Sequence, residues 1–356
     1  MSFSAYLALL TGVISNRTGG RTAKLIYVVD KENWAVRTVG SSLAKHLSAQ
    51  IPVHLSTTAL GSRWQLVHFG SIDMYMTTKG WHHIHPSNNV IVTVFHLAPT
   101  YQQTHLLAPA LNETTVHTTN TLTQTQLIAA GVEASRIHVI PLGVDTNLFR
   151  SEQSPREAMR RRYNINPKSY VIGSFQKDGV GWGEGLEPKL IKGPDTLVET
   201  VALLAQQLPV HVLLSGPARG YVIEQLKARN IPYSYTGYYQ QTEDVAALYQ
   251  ALDLYLITAR VEGGPLQLLE AWAAGVPLVA TPVGMVNDIA THNRNVLIAP
   301  IENPQALAAH AARLLRDPQL AERLRQQAQQ DTAAFDWRRI SQRYQTELYQ
   351  PHLTTT

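Results

Sequence analysis

Residues 258–277 read TARVEGGPLQLLEAWAAGVP, and this segment shapes the interpretation of the whole chain. An apolar run leads into a glycine turn, a helical pattern follows, and Gly275 and Pro277 mark the approach to another strand. A strand, a glycine turn, a helix and a strand in this order are typical of a doubly wound α/β domain.

The glycine turn of this segment predicts an anion site. Gly263 and Gly264 let the backbone approach a ligand, and Pro265 suits the first helical turn, where its missing N–H would be unpaired anyway. The free N–H groups from Leu266 onward, with the positive end of the helix dipole, favour a diphosphate.

Two carboxylates flank this anion site, and such groups accept hydrogen bonds from sugar hydroxyls. Glu270 would repel a phosphate, so we expect it at a group farther along the ligand, such as a ribose diol. Glu262 lies nearer the other end. A nucleotide sugar carries hydroxyl groups on both sides of a diphosphate, so the pattern favours a ligand of this class.

Short apolar runs with helical patterns between them recur along both halves of the chain. Continuous apolar runs of this length indicate parallel strands that are covered on both faces. We therefore predict an α/β fold with two Rossmann-like, doubly wound domains. The predicted strands are residues 24–29, 65–69, 89–95, 115–118, 136–140, 170–174, 210–215, 233–236, 254–258, 277–281 and 295–298.

The length of 356 residues suits two domains. We place the boundary near residue 150, which gives domains of residues 1–150 and 151–335. Asn303-Pro304 and Asp317-Pro318 predict helix starts, because each offers an N-cap followed by proline at the first helical position. A final helix over 336–356 follows, and the sequence leaves its packing open.

Composition excludes several classes of protein. The chain has no cysteine, so it has no disulfide, thiolate nucleophile or cysteine-bound zinc. Its formal charge of +4 is too small to imply a nucleic-acid partner. The apolar stretch Ala5–Ile14 lacks the flanks of a secretion signal, and no apolar run is long enough to span a membrane. We expect a cytoplasmic protein and leave a peripheral membrane contact open.

Taken together, these motifs resemble the donor-site signature of family 4 retaining glycosyltransferases. The resemblance rests on Glu262 and Glu270 separated by seven residues, on the glycine turn between them, and on the residues through Pro277. Val139–Phe149 resembles the interdomain strand and turn of that family, and Ala280–Met285 resembles the segment after its donor helix. The resemblance covers roughly residues 90–300 and implies a B-type fold, with the two domains facing across a cleft.

The resemblance also implies roles for individual residues. Glu262 would contact hydroxyls of the donor sugar, Gly263 and Gly264 the sugar–phosphate region, and Glu270 the ribose. Lys192 matches the lysine that holds the phosphates, while Lys177 stands where the family has an arginine, a point charge in place of a planar fork. The glycine-rich loop 179–185 between the two lysines either closes over the donor or is an ordinary surface loop.

Further candidates lie elsewhere in the chain. His96 follows a predicted strand where many family members have a histidine near the donor sugar, and it is our catalytic candidate from the first domain. Gly216 and Tyr238 resemble loops on the nucleotide-base side. A zinc site at His82, His83 and His85 is not expected, because adjacent histidines point in different directions and no carboxylate stands at useful spacing.

The implied reaction is transfer of a hexose from a nucleoside diphosphate sugar, UDP- or GDP-linked, to a hydroxyl of a sugar, lipid-linked or small-molecule acceptor. Retention would proceed on the front face of the donor, with no metal and no other cofactor. An epimerase or phosphorylase of the same fold and a non-catalytic nucleotide-sugar-binding protein are the alternatives. A dehydrogenase lacks support, because no Gly-x-Gly-x-x-Gly follows a predicted strand. The base, the hexose, the acceptor and the oligomeric state stay open.

Overall fold

The computed structural model describes residues 3–18, 23–30, 35–47, 51–81, 84–97, 107–150 and 156–353. The chain divides into two units. Unit 1 comprises Met1–Gly143 and Trp337–Thr356, and unit 2 comprises Val144–Asp336. The division falls a few residues before position 150, and the C-terminal segment, whose packing the sequence left open, belongs to unit 1.

The described part of unit 1 contains a parallel sheet of six strands in the order β2-β1-β3-β4-β5-β6. The strands are β1 (Leu25–Val28), β2 (Val53–Ser56), β3 (Leu66–Phe69), β4 (Asn89–Thr93), β5 (Thr115–Thr118) and β6 (Ile137–Val139). The helices are α1 (Phe3–Thr18), α2 (Ala35–His46), α3 (Ile72–Trp81), α4 (Leu107–Leu111) and α5 (Thr121–Ala129). Asn120 caps α5, because its side chain accepts a hydrogen bond from the N–H of Thr123.

The C-terminal segment returns to the sheet of unit 1. It runs through α14 (Trp337–Arg343), a π-helical turn (Tyr344–Tyr349) and α15 (Gln350–Leu353). Tyr344 and Tyr349 are fully buried in the turn, against His68 of β3 and His117 of β5. This face of the sheet is therefore covered by a segment that is distant in sequence.

Unit 2 contains a second parallel sheet of six strands, in the order β12-β11-β10-β7-β8-β9. The strands are β7 (Tyr170–Phe175), β8 (Val210–Ser215), β9 (Tyr233–Tyr235), β10 (Leu254–Ile257), β11 (Leu278–Ala280) and β12 (Leu297–Ile298). The helices are α6 (Arg156–Arg162), α7 (Pro194–Ala205), α8 (Gly220–Ala228), α9 (Thr242–Tyr249), α10 (Leu266–Ala273), α11 (Met285–Ile289), α12 (Pro304–Arg316) and α13 (Pro318–Thr332). Its core is formed by the apolar strand faces with α7, α8, α12 and α13.

The predicted strands correspond to observed ones, with ends that differ by at most two residues. The strand predicted over 89–95 stops at Thr93. Strand β2, Val53–Ser56, was not predicted, because it is short, only partly buried and at the edge of the sheet. Both predicted N-caps of the C-terminal helices are confirmed: Asn303 accepts from the N–H of Ala306, and Asp317 from that of Leu320.

Candidate functional site

The predicted donor-side residues of unit 2 follow the carboxyl ends of its strands. A short 3-10 turn, Leu190–Lys192, lies along the loop after β10: the N–H groups of Arg260 and Val261 donate to the carbonyl of Ile191 at 2.9 and 3.1 Å. Gly193 permits this contact, because it has φ of 65° and a Cβ there would lie 1.9 Å from the carbonyl oxygen of Thr258. The 3-10 turn Leu190–Lys192, called the strap below, and the loop after β10 are therefore tightly joined.

Arg260 strengthens the same junction. Its guanidinium donates two hydrogen bonds to the carboxylate of Asp195, at 2.8 and 2.6 Å, and one to the carbonyl of Leu190 at 2.6 Å. Hydrogen bonding to Arg260 lowers the pKa of Asp195 below its ordinary value. The start of α7, the strap and the loop after β10 are thus held as one piece.

Lys192 and Glu262 form an ion pair in this piece, with Lys192 Nζ donating to Glu262 Oε1. Their side chains are 19% and 15% exposed, so the pair is largely, but not fully, removed from water. Gln176, which follows β7, donates from its side chain to the carbonyl of Lys192 at 3.3 Å. Two residues that the sequence assigned to different parts of the ligand are therefore direct partners.

The glycine turn packs against the segment after β11. The carbonyl of Gly263 accepts from the N–H of Met285 at 2.8 Å. Gly284 has φ of 45°, and a Cβ there would lie 2.1 Å from the same carbonyl oxygen. The prediction for Pro265 was wrong by one position: it is the N-cap, with φ −65° and ψ 102°, and α10 begins at Leu266. Proline offers no side-chain acceptor, so it leaves the first amides of α10 to other partners.

Glu270 lies two turns along α10, where Tyr249 Oη donates to Glu270 Oε2 at 2.8 Å. Desolvation by burial raises the pKa of Glu270 to about 7, and the hydrogen bond from Tyr249 only partly opposes this. Tyr249 is itself stacked on Tyr255, with ring centroids 5.5 Å apart, and contacts Phe175 edge-on at 5.0 Å. An aromatic cluster therefore positions this carboxyl group.

Lys177 lies beyond the end of β7 and is half-buried. Its Nζ is 4.2 Å from the ring centroid of Trp182, within the range of a cation–π interaction. Burial lowers the pKa of Lys177, and the positive charges of Lys189 and Lys192 lower it further. Three lysines thus concentrate positive charge at this edge of the sheet.

The glycine-rich loop 179–185 is anchored at both ends. The N–H of Val180 donates to Glu187 O at 2.9 Å, and the N–H of Gly220 donates to Glu184 O at 2.7 Å. Gly185 is packed so closely that a Cβ would lie 2.3 Å from the carbonyl oxygen of Ala218, whereas Gly181 has open space around its Cα. The base of the loop is fixed and its tip carries Trp182; closure over a donor stays a prediction.

The two candidates on the nucleotide-base side lie next to each other. The N–H of Gly216 donates to the carbonyl of Gly237 at 3.1 Å, and Tyr238 follows directly and is half-buried. Gly216 has φ of 108°, and a Cβ there would lie 2.5 Å from the carbonyl oxygen of Gln176. Gly216 is therefore required for the close approach of the ends of β7 and β8.

Sequence reasoning missed a buried ion pair beneath these loops. Arg219 and Asp178 are fully buried, with Arg219 Nε 3.1 Å from Asp178 Oδ1. Arg219 also donates to the carbonyls of Ser174, Gln176 and Ser215, at 2.7, 3.1 and 3.0 Å. A second missed residue, Gln267 of α10, donates from its side chain to the carbonyl of Phe175 at 3.0 Å. The available signal was that Asp178 and Arg219 follow neighbouring strands.

The remaining candidates belong to unit 1. His96 is half-buried three residues beyond β4, and its role stays a prediction. Of the three adjacent histidines, His82 and His83 lie outside the described residues, and His85 bonds through Nδ1 to the hydroxyl of Ser87 at 2.7 Å. Among the residues that the structure describes, no group of three His, Asp or Glu side chains could hold a metal ion.

Comparisons with known proteins identify the same region. Residues 186–331 match the family described as Glycosyl transferases group 1. The chain is 29% identical over 213 residues to a D-inositol 3-phosphate glycosyltransferase of Jonesia denitrificans, covering 56% of this chain and 48% of that protein. It is 25% identical over 221 residues to a mannosylfructose-phosphate synthase of Agrobacterium fabrum, covering 58% and 46%. The chain thus spans about half the length of the curated relatives it matches.

The fold is that of solved glycosyltransferase structures. The crystal structure of Anabaena Alr3699/HepE in complex with UDP and glucose matches with a TM-score of 0.74 at 18% identity, over 92% of this chain and all of that one. This likeness confirms the predicted α/β architecture with two Rossmann-like domains. None of the helices in the described ranges is both long and apolar enough to cross a membrane.

Proposed function

We propose that the chain, whose residues 186–331 match the group 1 glycosyltransferases, transfers a hexose from a nucleoside diphosphate sugar to a hydroxyl of an acceptor, with retention and without a metal. The bond between the anomeric carbon and the diphosphate breaks, and a bond from the acceptor oxygen forms on the same face. The acceptor proton passes to the departing diphosphate. The protein must then stabilise negative charge on that group and hold the acceptor close.

The observation that carries this proposal is the ion pair of Lys192 with Glu262 beside the glycine turn. Glu262 holds the ammonium of Lys192 next to the start of α10, so a cation and the helix amides lie at the same end of the site. Lys177 adds a second positive charge. Negative charge that develops on a diphosphate beside the start of α10 would be stabilised by the two lysines and the helix amides. These donors are already oriented, which is the condition for electrostatic stabilisation.

The carboxylates supply the polar contacts to the two ends of the donor. Glu262 has one oxygen bonded to Lys192 and can accept a sugar hydroxyl on the other. Glu270 accepts from Tyr249 and, when ionised, can also accept from a ribose diol. UDP-glucose is the first donor to test, because the HepE complexes contain UDP, glucose and UDP-glucose. GDP-linked hexoses are the next donors to test, and phosphorylated small molecules are the acceptors to test with them.

The test measures sugar transfer and donor affinity separately. Glu262→Gln should lower kcat by about 100-fold or more, the size of loss expected when one oriented contact to the transition state is removed, while UDP still binds. Lys192→Ala should lower both the rate of sugar transfer and the affinity for the donor, because it removes the proposed phosphate contact and leaves Glu262 without its partner. Activity should persist in excess EDTA.

Lys227→Ala in α8 and Glu243→Gln in α9 are the matched controls, and both should behave as the parent chain. Equal activity of the Glu262 and Lys192 variants and these controls would refute the site assignment. A strict requirement for manganese would refute the metal-free reaction. Conversion of the donor sugar without any acceptor would favour the epimerase alternative.

A further inference from the structure

A groove opens at the amino-terminal edge of the unit 1 sheet. Its volume is about 1020 Å³, and it lies where Lys24, Gln65 and Asn89 begin or precede β1, β3 and β4. Doubly wound sheets bind their substrates at the carboxyl edge. The groove therefore lies at the edge of this sheet that such substrates do not use.

The charges around the groove are all positive. Arg17, Lys24 and Arg63 line it and are exposed. Within the described ranges, none of their side chains forms an ion pair or a hydrogen bond, and no Asp or Glu lines the groove. In contrast, Arg160 and Arg260 of unit 2 are held by carboxylates. Three unneutralised cations in one place attract an anionic partner.

Trp64 projects from the same loop and is 81% exposed. Its backbone has φ of 56°, an uncommon conformation for a bulky residue. The loop is nevertheless fixed: the N–H of Trp64 donates to Ser87 Oγ at 2.9 Å, and the N–H of Gln65 donates to Asn88 Oδ1 at 3.1 Å. An ordered loop thus holds a large aromatic side chain in the solvent.

Helix α1 adds apolar side chains beside this loop. Leu10 is 41% and Ile14 59% exposed, and their spacing with Arg17 places all three on one face. The opposite face is attached to the loop, because the side-chain amide of Asn16 donates to the carbonyls of Thr58 and Leu60, at 2.9 and 2.7 Å. The exposed apolar face of α1 is therefore held next to the cations.

We propose that this amino-edge surface docks unit 1 on an anionic lipid membrane. Tryptophan favours the level of the lipid headgroups, exposed apolar side chains such as Leu10 and Ile14 can enter the interface, and basic side chains are attracted to anionic headgroups. The proposal is independent of the reaction proposed above, because none of its residues is assigned a part in sugar transfer. The surface comprises Leu10, Ile14, Arg17, Lys24, Arg63 and Trp64.

The experiment is cosedimentation of the full chain with vesicles. Vesicles of phosphatidylcholine with an equal part of phosphatidylglycerol should bind the chain, pure phosphatidylcholine should not, and salt should weaken the binding. Each cation near an anionic surface contributes about fivefold in affinity, so Arg17→Gln with Arg63→Gln should weaken binding about 25-fold. Trp64→Ser should weaken it as well.

The matched control is Lys168→Gln with Lys227→Gln, which removes two exposed charges from unit 2 and should bind as the parent does. Circular dichroism and donor turnover report whether each variant is folded. Equal binding of both double variants, no binding of the parent, or equal binding to neutral vesicles overturns the proposal. If the parent chain binds inorganic phosphate or a nucleic acid at the groove but does not bind vesicles, the membrane proposal is overturned in favour of a soluble anion.

Discussion

Unit 1 and unit 2 each contain a six-stranded parallel sheet, but their polar side chains lie at different positions relative to it. In unit 1, His68, Thr93 and His117 lie on three adjacent strands and are fully buried. In unit 2, Lys192 and Glu262 lie beyond the strand ends and keep part of their surface in solvent. The first group is surrounded by protein, and the second is accessible to a ligand.

The buried group in unit 1 is a closed chain of hydrogen bonds. His117 Nε2 lies 2.9 Å from the carbonyl of Ile140, so it carries the proton and donates. His117 Nδ1 therefore accepts from Thr93, and Thr93 accepts from His68 Nε2, at 2.9 and 2.7 Å. His68 Nδ1 then accepts from Tyr349 at 2.8 Å. His68, Thr93, His117 and Tyr349 are thus hydrogen-bonded to one another inside the protein, and Tyr344 Oη also lies 2.9 Å from His117 Nε2, so we interpret this network as structural.

The largest expected effect concerns Arg219 and Asp178, a charged pair that is fully buried among the described residues of unit 2, as the polar network of unit 1 is. Arg219→Met should lower the free energy of unfolding by about 3–5 kcal/mol, because it leaves Asp178 buried without its partner. Burial already raises the pKa of Asp178, so the loss should shrink at lower pH as that carboxyl group takes up a proton. Urea unfolding measures the change.

The matched control for this prediction is Arg229→Met, which breaks an exposed pair with Glu199 and should change stability by no more than about 1 kcal/mol. A double replacement of Asp178 and Arg219 by apolar residues should cost less than the two single replacements added together. Equal losses from Arg219→Met and Arg229→Met would contradict the structural role of the buried pair.

The same comparison explains how far the sequence could predict the fold. Parallel strands covered on both faces appear as continuous apolar runs, and Val210–Ser215 was predicted at its observed ends for this reason. The edge strand Val53–Ser56 has no such run. The position of Tyr344 and Tyr349 could not be predicted, because their partners in β3 and β5 lie more than 200 residues earlier.

The candidate site shows the same limit. Glu262 was proposed from the glycine turn and helix start that follow it, and Lys192 only from the resemblance to a glycosyltransferase family; both roles stay predictions. The pairing of Lys192 with Glu262 could not be predicted, because it depends on how the strap packs against the loop after β10. The two residues are 70 positions apart in the sequence. Arg219 follows Gly216 and Pro217, a context typical of a surface turn, and its burial gives no local pattern.

The next prediction tests whether the network in unit 1 is structural through its pH dependence. Burial lowers the pKa of His117 from 6.5 to about 4, so the folded state resists its protonation. Its contribution to stability is full above pH 6.5 and is lost as pH falls towards 4, by about 3 kcal/mol in total. Hydrogen exchange of the β5 amides, Thr115–Thr118, should rise accordingly.

His117→Gln provides the comparison for that measurement, because glutamine can accept from Thr93 and donate to Ile140 without titrating. Exchange in this variant should depend less on pH between 4 and 6.5. An unchanged pH dependence would show that other groups, such as the carboxylates, cause the acid instability. His68, whose pKa burial also lowers well below its ordinary value, would then need the same replacement.

The contribution of Glu270 to stability should depend on pH in the opposite direction to that of His117. Burial raises its pKa to about 7, so its contribution to stability is full below pH 4.5 and is lost as pH rises through 7. Glu270→Gln should therefore raise the unfolding free energy at pH 8 by about 1–3 kcal/mol and weaken UDP binding about tenfold. In the parent chain, UDP binding should weaken below pH 7. Calorimetry at pH 6 and 8 distinguishes this from a carboxyl group with only a structural role, whose replacement would leave UDP binding unchanged.

The smallest expected effect concerns Trp182. This residue belongs neither to the buried network of unit 1 nor to the ion pair of Lys192 with Glu262, because it is exposed and contacts Lys177 with its ring. A cation–π contact at an exposed site contributes about 0.5–1 kcal/mol, so Trp182→Ala should raise KM for the donor about two- to fivefold and leave kcat nearly unchanged. Trp182→Phe keeps a ring and should restore most of the loss. Val180→Ala, in the same loop and also exposed, should have no effect. If Trp182→Ala and Val180→Ala alter KM equally, the loop as a whole, and not the ring over Lys177, determines donor affinity.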